Sequence, residues 1–186
     1  MLNLKIDTNK IIELKCLGLW EYVSPVRAYL EQTLIREYQD KHRASLLSFA
    51  FSELLENACK YSYPVGSGVV FKFNIDSSKI VAEVSNVATS HHLMELEYIL
   101  KRLATGDPKK NYLDMMTESS STREKSQLGL AKIAFECEAK LSCSDSDYQS
   151  FISEYDFPFV PDESINKLKE KNESLKCVTI TFTSKR

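Results

Sequence analysis

Apolar residues recur along this chain with two periods, one near 3.6 and one of 2. Over residues 69–75 every second position is apolar (Val69, Phe71, Phe73, Ile75), and 80–87 repeats the alternation with Ile80, Ala82 and Val84. Such alternation predicts two half-buried strands, and Asp76-Ser77-Ser78-Lys79 between them reads as a hairpin turn. Further short strands are predicted over 2–6, 11–16 and 178–182, with another beginning at 140–143. Helical spacing covers 20–38 through Tyr22, Val26, Tyr29, Leu30 and Ile35, with Ser24-Pro25 marking its start. It returns over 90–103 (Leu93, Leu96, Ile99, Leu100, Leu103), where Thr89 or Ser90 serves as the cap. A helix restarts at Asp107-Pro108 through Tyr112, Leu113 and Met116, and another covers 127–139 with Leu128, Ala131, Ile133, Ala134 and Phe135. Residues 117–126 (TESSSTREKS) have no apolar side chain and read as a mobile loop. Residues 145–173 are acidic and aromatic at first and carry only one legible element, the short charged helix INKLKEKNE.

The stretch 45–63 (SLLSFAFSELLENACKYSY) is a helix with two faces. Leu47, Phe51, Leu54 and Ala58 form a core stripe. Glu53, Asn57 and Lys60 form a second stripe, spaced i, i+4, i+7 and within about 60° of one another. Apolar Leu46, Phe49 and Ala50 precede it, so an acid, an amide and an ammonium stand over an apolar base, as at a pocket wall. The same stripe also fits a surface helix with one polar pair and a Lys favoured by the dipole of the C-terminal turn. Residues 37–43 (EYQDKHR) break the chain before this helix, and Lys41, His42 and Arg43 read as a solvated helix start.

Composition narrows the picture. The chain has 186 residues, 43% of them hydrophobic, which suits one domain with a real core. A net charge of −2 gives no electrostatic footprint for nucleic acid. No apolar run approaches the ~20 residues that span a bilayer, so no membrane partner is expected. Cys16, Cys59, Cys137, Cys143 and Cys177 are scattered, odd in number and without a CxxC pair. No signal peptide is read at the charged N-terminus. Free thiols in the cytoplasm are therefore expected, rather than disulfides or a zinc site. The adjacent His91-His92 fits a metal pair or, more simply, a polar helix start, because neighbouring helix residues point about 100° apart.

ELLENACKY (residues 53–61) resembles the N-box of the GHKL ATPase superfamily, which includes histidine kinases, anti-sigma-factor serine kinases, gyrase-type ATPases and heat-shock chaperone ATPases. LGLAKI (128–133) is similar to its second glycine box, the start of a helix behind an ATP lid. The resemblance extends over most of the chain through the order of elements. It implies an α+β fold, a two-layer α/β sandwich with helices packed on one face of a mixed, mainly antiparallel sheet. It also implies one domain over 1–186, with 88–126 as an insert or lid-like region. By the same resemblance Asn57 coordinates Mg²⁺, Glu53 orients or deprotonates the nucleophile, and Lys60 approaches phosphate. Leu128, Gly129 and Leu130 then present helix N–H groups to the phosphates of Mg-ATP. Magnesium's preference for few protein oxygens and several waters fits this division of labour. Gly129 also fits simple close packing of a helix.

This sequence departs from the family where D-x-G-x-G follows the second hairpin strand. Here that place reads EVSNVAT, with Asn86 standing for the Asp that meets adenine and no glycine behind it. An amide oxygen accepts a hydrogen bond, without a carboxylate's charge assistance. Three functions remain open. One is an ATP-dependent serine/threonine protein kinase of a partner-switching, anti-sigma-like system, acting on a small regulatory protein. A second is a degenerate, nucleotide-free module that binds a protein partner. The third is an unrelated α+β protein. A homodimer is compatible with each.

Overall fold

The computed structural model describes residues 3–6, 11–38, 40–75, 78–121 and 126–185. Strands β1 (Asn3–Ile6), β2 (Ile11–Leu17), β3 (Gly68–Ile75), β4 (Lys79–Thr89), β5 (Lys140–Ser146) and β6 (Leu175–Lys185) form one sheet in the order β1-β2-β3-β4-β6-β5. Each of its five pairings is antiparallel. Helices α1 (Val23–Tyr38), α2 (Lys41–Tyr61), α3 (Ser90–Leu103), α4 (Pro108–Ser121) and α5 (Ser126–Glu136) supply the main helical layer. This is the α+β sandwich that the resemblance implies, with two further short helices on the second sheet face. The centre of the predicted hairpin turn, residues 76 and 77, lies outside the described residues, as do 122–125.

Alternation decides which side chains meet the helices. Phe71 pairs across the ladder with Val84, Val84 with Ile180 and Ala82 with Phe182, so one sheet face is continuously apolar. Phe51 of α2 stands on it, 5.6 Å from Phe71, 5.1 Å from Phe73 and 5.4 Å from Phe182 between ring centroids. Tilted and edge-to-face pairs of this kind add about 0.5–1.5 kcal/mol each beyond area burial. The core stripe read from the sequence (Leu47, Phe51, Leu54, Ala58) is fully buried.

Helix α2 begins a turn earlier than its apolar pattern indicates. The Asp40 carboxylate accepts from the N–H groups of His42 (2.9 Å) and Arg43 (3.1 Å), which satisfies donors the first turn otherwise leaves free. Arg43 is not a solvated side chain. Its guanidinium donates to Ser184 Oγ at 2.7 Å and to the Lys185 carbonyl at 2.9 Å, while Ser184 donates to the Cys137 carbonyl at 2.6 Å. The start of α2, the end of α5 and the end of β6 are thereby tied together.

The expected loop at 117–126 is helical as far as Ser121. An exposed helix needs no apolar stripe of its own when polar groups tether it. Arg102 of α3 grips Glu118 through two bonds of 2.7 and 2.8 Å. Residues 145–173, nearly illegible in sequence, complete β5 and then form α6 (Tyr148–Tyr155) and α7 (Asp162–Glu170). These cover the second sheet face, where Phe151, Ile152, Val160 and Leu168 pack with Val70, Val87, Leu175 and Cys177. The Phe157 ring lies directly over Gly68, and the Lys15 and Lys72 ammoniums each sit 5.3 Å from the Tyr155 ring.

Candidate functional site

Helix α2 carries Glu53 and Asn57 on successive turns of its polar stripe, and α5 approaches this stripe with its first turn. The contact is intimate: a Cβ placed on Gly129 would overlap Glu53 Oε2. Only a residue without a side chain lets the carboxylate lie there. Burial raises the Glu53 carboxyl above the ordinary range, and the nearby Glu56 carboxylate adds to this. Lys132 and Arg27 oppose it with smaller effect.

Asn57 is partly buried, and its amide nitrogen is buried without a hydrogen-bond partner. A buried orphan donor is uncommon and costs about 1–3 kcal/mol. Lys60 is exposed and its ammonium lies over the Tyr61 ring at 5.0 Å. Leu130 is buried in the core and Leu128 packs against it. Asn86 is only 4% exposed, and its amide nitrogen donates to the adjacent Val87 carbonyl at 3.2 Å. Its ladder partners are Val69 and Val178, both buried.

The structure thus brings Glu53 and Gly129 together and leaves Asn57 with an unmet donor. Two cations that the motifs did not single out, Arg27 and Lys132, stand electrostatically close to Glu53. The signal for Lys132 was present: it follows Gly129 by three residues, one helical turn, within LGLAK.

The fold has a counterpart among solved structures. It is similar to a chain in the crystal structure of the SiaB–SiaC complex from Pseudomonas aeruginosa. The TM-score is 0.59 at 11% identity, over 94% of this chain and 89% of that one. At that identity the likeness is one of fold. No family model and no curated protein matches the chain.

Fit to Mg-ATP differs between the two ends of the site. Among the described residues no group of three or more His, Cys, Asp or Glu side chains could hold a metal ion. Mg²⁺ there would rely on the Asn57 amide oxygen, phosphate oxygens and water, a ligand set it accepts. The space beside Gly129 is filled by the Glu53 carboxylate itself, and Asn86 is buried between ladder partners Val69 and Val178 with its amide turned onto the Val87 carbonyl.

A separate open cleft of about 360 Å³ lies between the start of α3 and α7. It is lined by Tyr63, Thr89, His91, His92, Lys167 and their neighbours, and by none of the motif residues. His91 faces Glu95 at 3.5 Å, and His92 packs edge-on to Tyr61. Burial pushes the thiols of Cys59 up to about 12 and of Cys16 and Cys137 to about 11. These groups are neutral thiols at physiological pH, without thiolate reactivity. Among the described residues no helix is long and apolar enough to cross a membrane.

Proposed function

We propose that this chain is a signalling protein of GHKL type that binds Mg-ATP between α2 and α5 and phosphorylates a serine or threonine of a small partner protein. The observation that carries this reading is the seating of Glu53 against Gly129. Two motifs far apart in sequence meet in space there, which supports reading them as one site. Glu53 is the base that accepts the hydroxyl proton. Its raised carboxyl brings it closer to the operating pH, where general bases act best. Asn57 holds the metal, and bound Mg²⁺ supplies charge neutralisation to the phosphates. The first turn of α5 contributes N–H groups to the same anions. A protein partner is supported by the structural neighbour, which was solved as a complex of two proteins.

Isothermal titration with Mg-ATP tests this reading, with Asn57→Ala as the control. Micromolar binding in the wild type, lost in Asn57→Ala, is the expected result. Equal binding by both proteins would sink the assignment of Asn57.

Asn86 favours a second reading. Its burial and its bond to Val87 leave the adenine end occupied by protein. A chain with that end closed works as a nucleotide-free, protein-binding regulator. It gives no heat and no thermal shift with millimolar nucleotide.

A further inference from the structure

One edge of the sheet ends on a strand with an open side. Among the described residues β5 pairs with β6 alone, and Lys140, Ser142, Ser144 and Ser146 on its second face are exposed. The strand has seven residues with neither Pro nor Gly, and its centre, Leu141 to Ser144, carries no charge. Natural edges are commonly blunted by Pro, a bulge or an inward charge, because free N–H and C=O groups recruit another strand. We infer that β5 and the adjoining flank of α3 form an interface with a second copy of this chain, the two sheets joining antiparallel through β5. This interface is independent of the nucleotide reading.

Self-complementarity singles out a copy of the chain as the occupant. Pairing of a strand with its own copy across a two-fold axis is antiparallel and sets one residue against itself. Cys143, the middle residue of β5, fits that place. Ser142 of each copy then meets Ser144 of the other, and small hydroxyl pairs of this kind support antiparallel strands. Lys140 meets Ser146, and Leu141 meets Asp145, whose charge is held by Lys176 at 3.0 Å. No like charges are opposed in this register.

Helix α3 carries the same symmetry. It packs on the core face against β4, β5 and β6. Met94, Glu97 and Lys101 follow the spacing i, i+3, i+7 and so share one flank. That flank lies toward β5, since the Glu97 and Lys101 charges both act on the Cys143 thiol. The axis through Cys143 therefore passes beside the midpoint between Glu97 and Lys101. Two copies of α3 run antiparallel across that axis, with Glu97 of each facing Lys101 of the other. Among the described residues neither has an ion-pair partner, although they stand at i, i+4 in the orientation that favours a pair within the helix. Met94 (61% exposed) and Tyr98 (70% exposed) supply apolar surface at the same place. The strand of seven residues and the helix of fourteen each span about 20–24 Å, so the two layers meet over matched lengths.

The test is sedimentation equilibrium of the full chain between about 1 and about 100 μM. Wild type is compared with Glu97→Lys, Lys101→Glu and the double swap Glu97→Lys/Lys101→Glu. The expected wild-type mass is that of a dimer. Each single reversal opposes like charges twice across the axis and weakens dimerisation at least about tenfold, and the double swap restores it to within about threefold of wild type. Hydrogen exchange of the β5 amides slows as concentration rises through the dimerisation range, with the α2 amides unchanged. A wild-type chain that is monomeric throughout the range overturns the inference. So does a dimer that both single reversals leave intact, or one that the double swap fails to restore, since either result places the interface elsewhere. Circular dichroism spectra and melting temperatures near wild type show that each variant is folded.

Discussion

At the residue scale, Gly129 and Glu53 behave as one unit. Substituting Gly129→Ala places a methyl group where the Glu53 carboxylate lies. The obstacle is the far end of a flexible side chain, so the carboxylate swings away instead of the helix. Alanine meanwhile gains about 1 kcal/mol over glycine inside a helix. Gly129→Ala should therefore keep its melting temperature within about 4 °C of wild type while weakening Mg-ATP binding. In a Glu53→Ala background, where nothing is displaced, the same change should raise the melting temperature by about 2–4 °C. Calorimetry on the four proteins of this cycle checks both statements, and a large destabilisation by Gly129→Ala alone would contradict them.

Glu53 also leaves a signature in pH. Its native carboxyl is raised, first by burial and then by Glu56. Between the ordinary carboxylate range and the raised native value, the folded protein holds a proton that the unfolded chain has lost. Stability contributed by this group is then present at low pH and is lost as pH rises through that window. Glu53→Gln has no proton to lose. Denaturant unfolding as a function of pH should show a shallower loss of stability across this window in Glu53→Gln than in wild type. Identical pH profiles would mean that the carboxyl is not raised.

At the element scale, residues 147–174 are a strap on the second sheet face. Its anchor is again a missing side chain: a Cβ on Gly68 of β3 would overlap the Phe157 ring. Unlike a carboxylate tip, a ring packed between Phe151 and Tyr155 has little room to move. Overpacking of this kind costs about 1–3 kcal/mol. Gly68→Ala should loosen the strap ahead of the main core. Hydrogen exchange should show faster exchange of amides in α6 and α7, with α2 protected as before. Uniform protection across all these helices would show that Phe157 does not hold the strap. The strap was hard to read because its apolar residues are split between helices of eight and nine residues, too short for periodicity to stand out. Only the last turn of α4 was missed, for a related reason. Its last turn is polar, and Arg102 holds it through Glu118 from a different element.

At the scale of the whole molecule, the hairpin strands and the two faces of α2 were legible because burial on one face writes a period into the sequence. The core stripe Leu47, Phe51, Leu54 and Ala58 and the strand set Val69, Phe71, Phe73, Ile75 are the core-facing positions observed. Local capping was equally legible: Thr89 caps α3, accepting from the N–H of His92 at 3.3 Å. What each face packs against was not legible. A period records that a side is buried, without saying which element buries it. Arg43 illustrates the limit, since its partners Ser184 and Lys185 lie at the opposite end of the chain. The sequence by itself determined the α+β class, the helix bearing Glu53 and Asn57, and the substitution of Asn86 for an acid. Only the tertiary structure decided that Glu53 rests on Gly129, that Lys132 and Arg27 lie electrostatically close to it, and that Asn86 is buried. These are facts of through-space packing, where charge and desolvation sum over neighbours from every element, and no spacing along the chain encodes that sum.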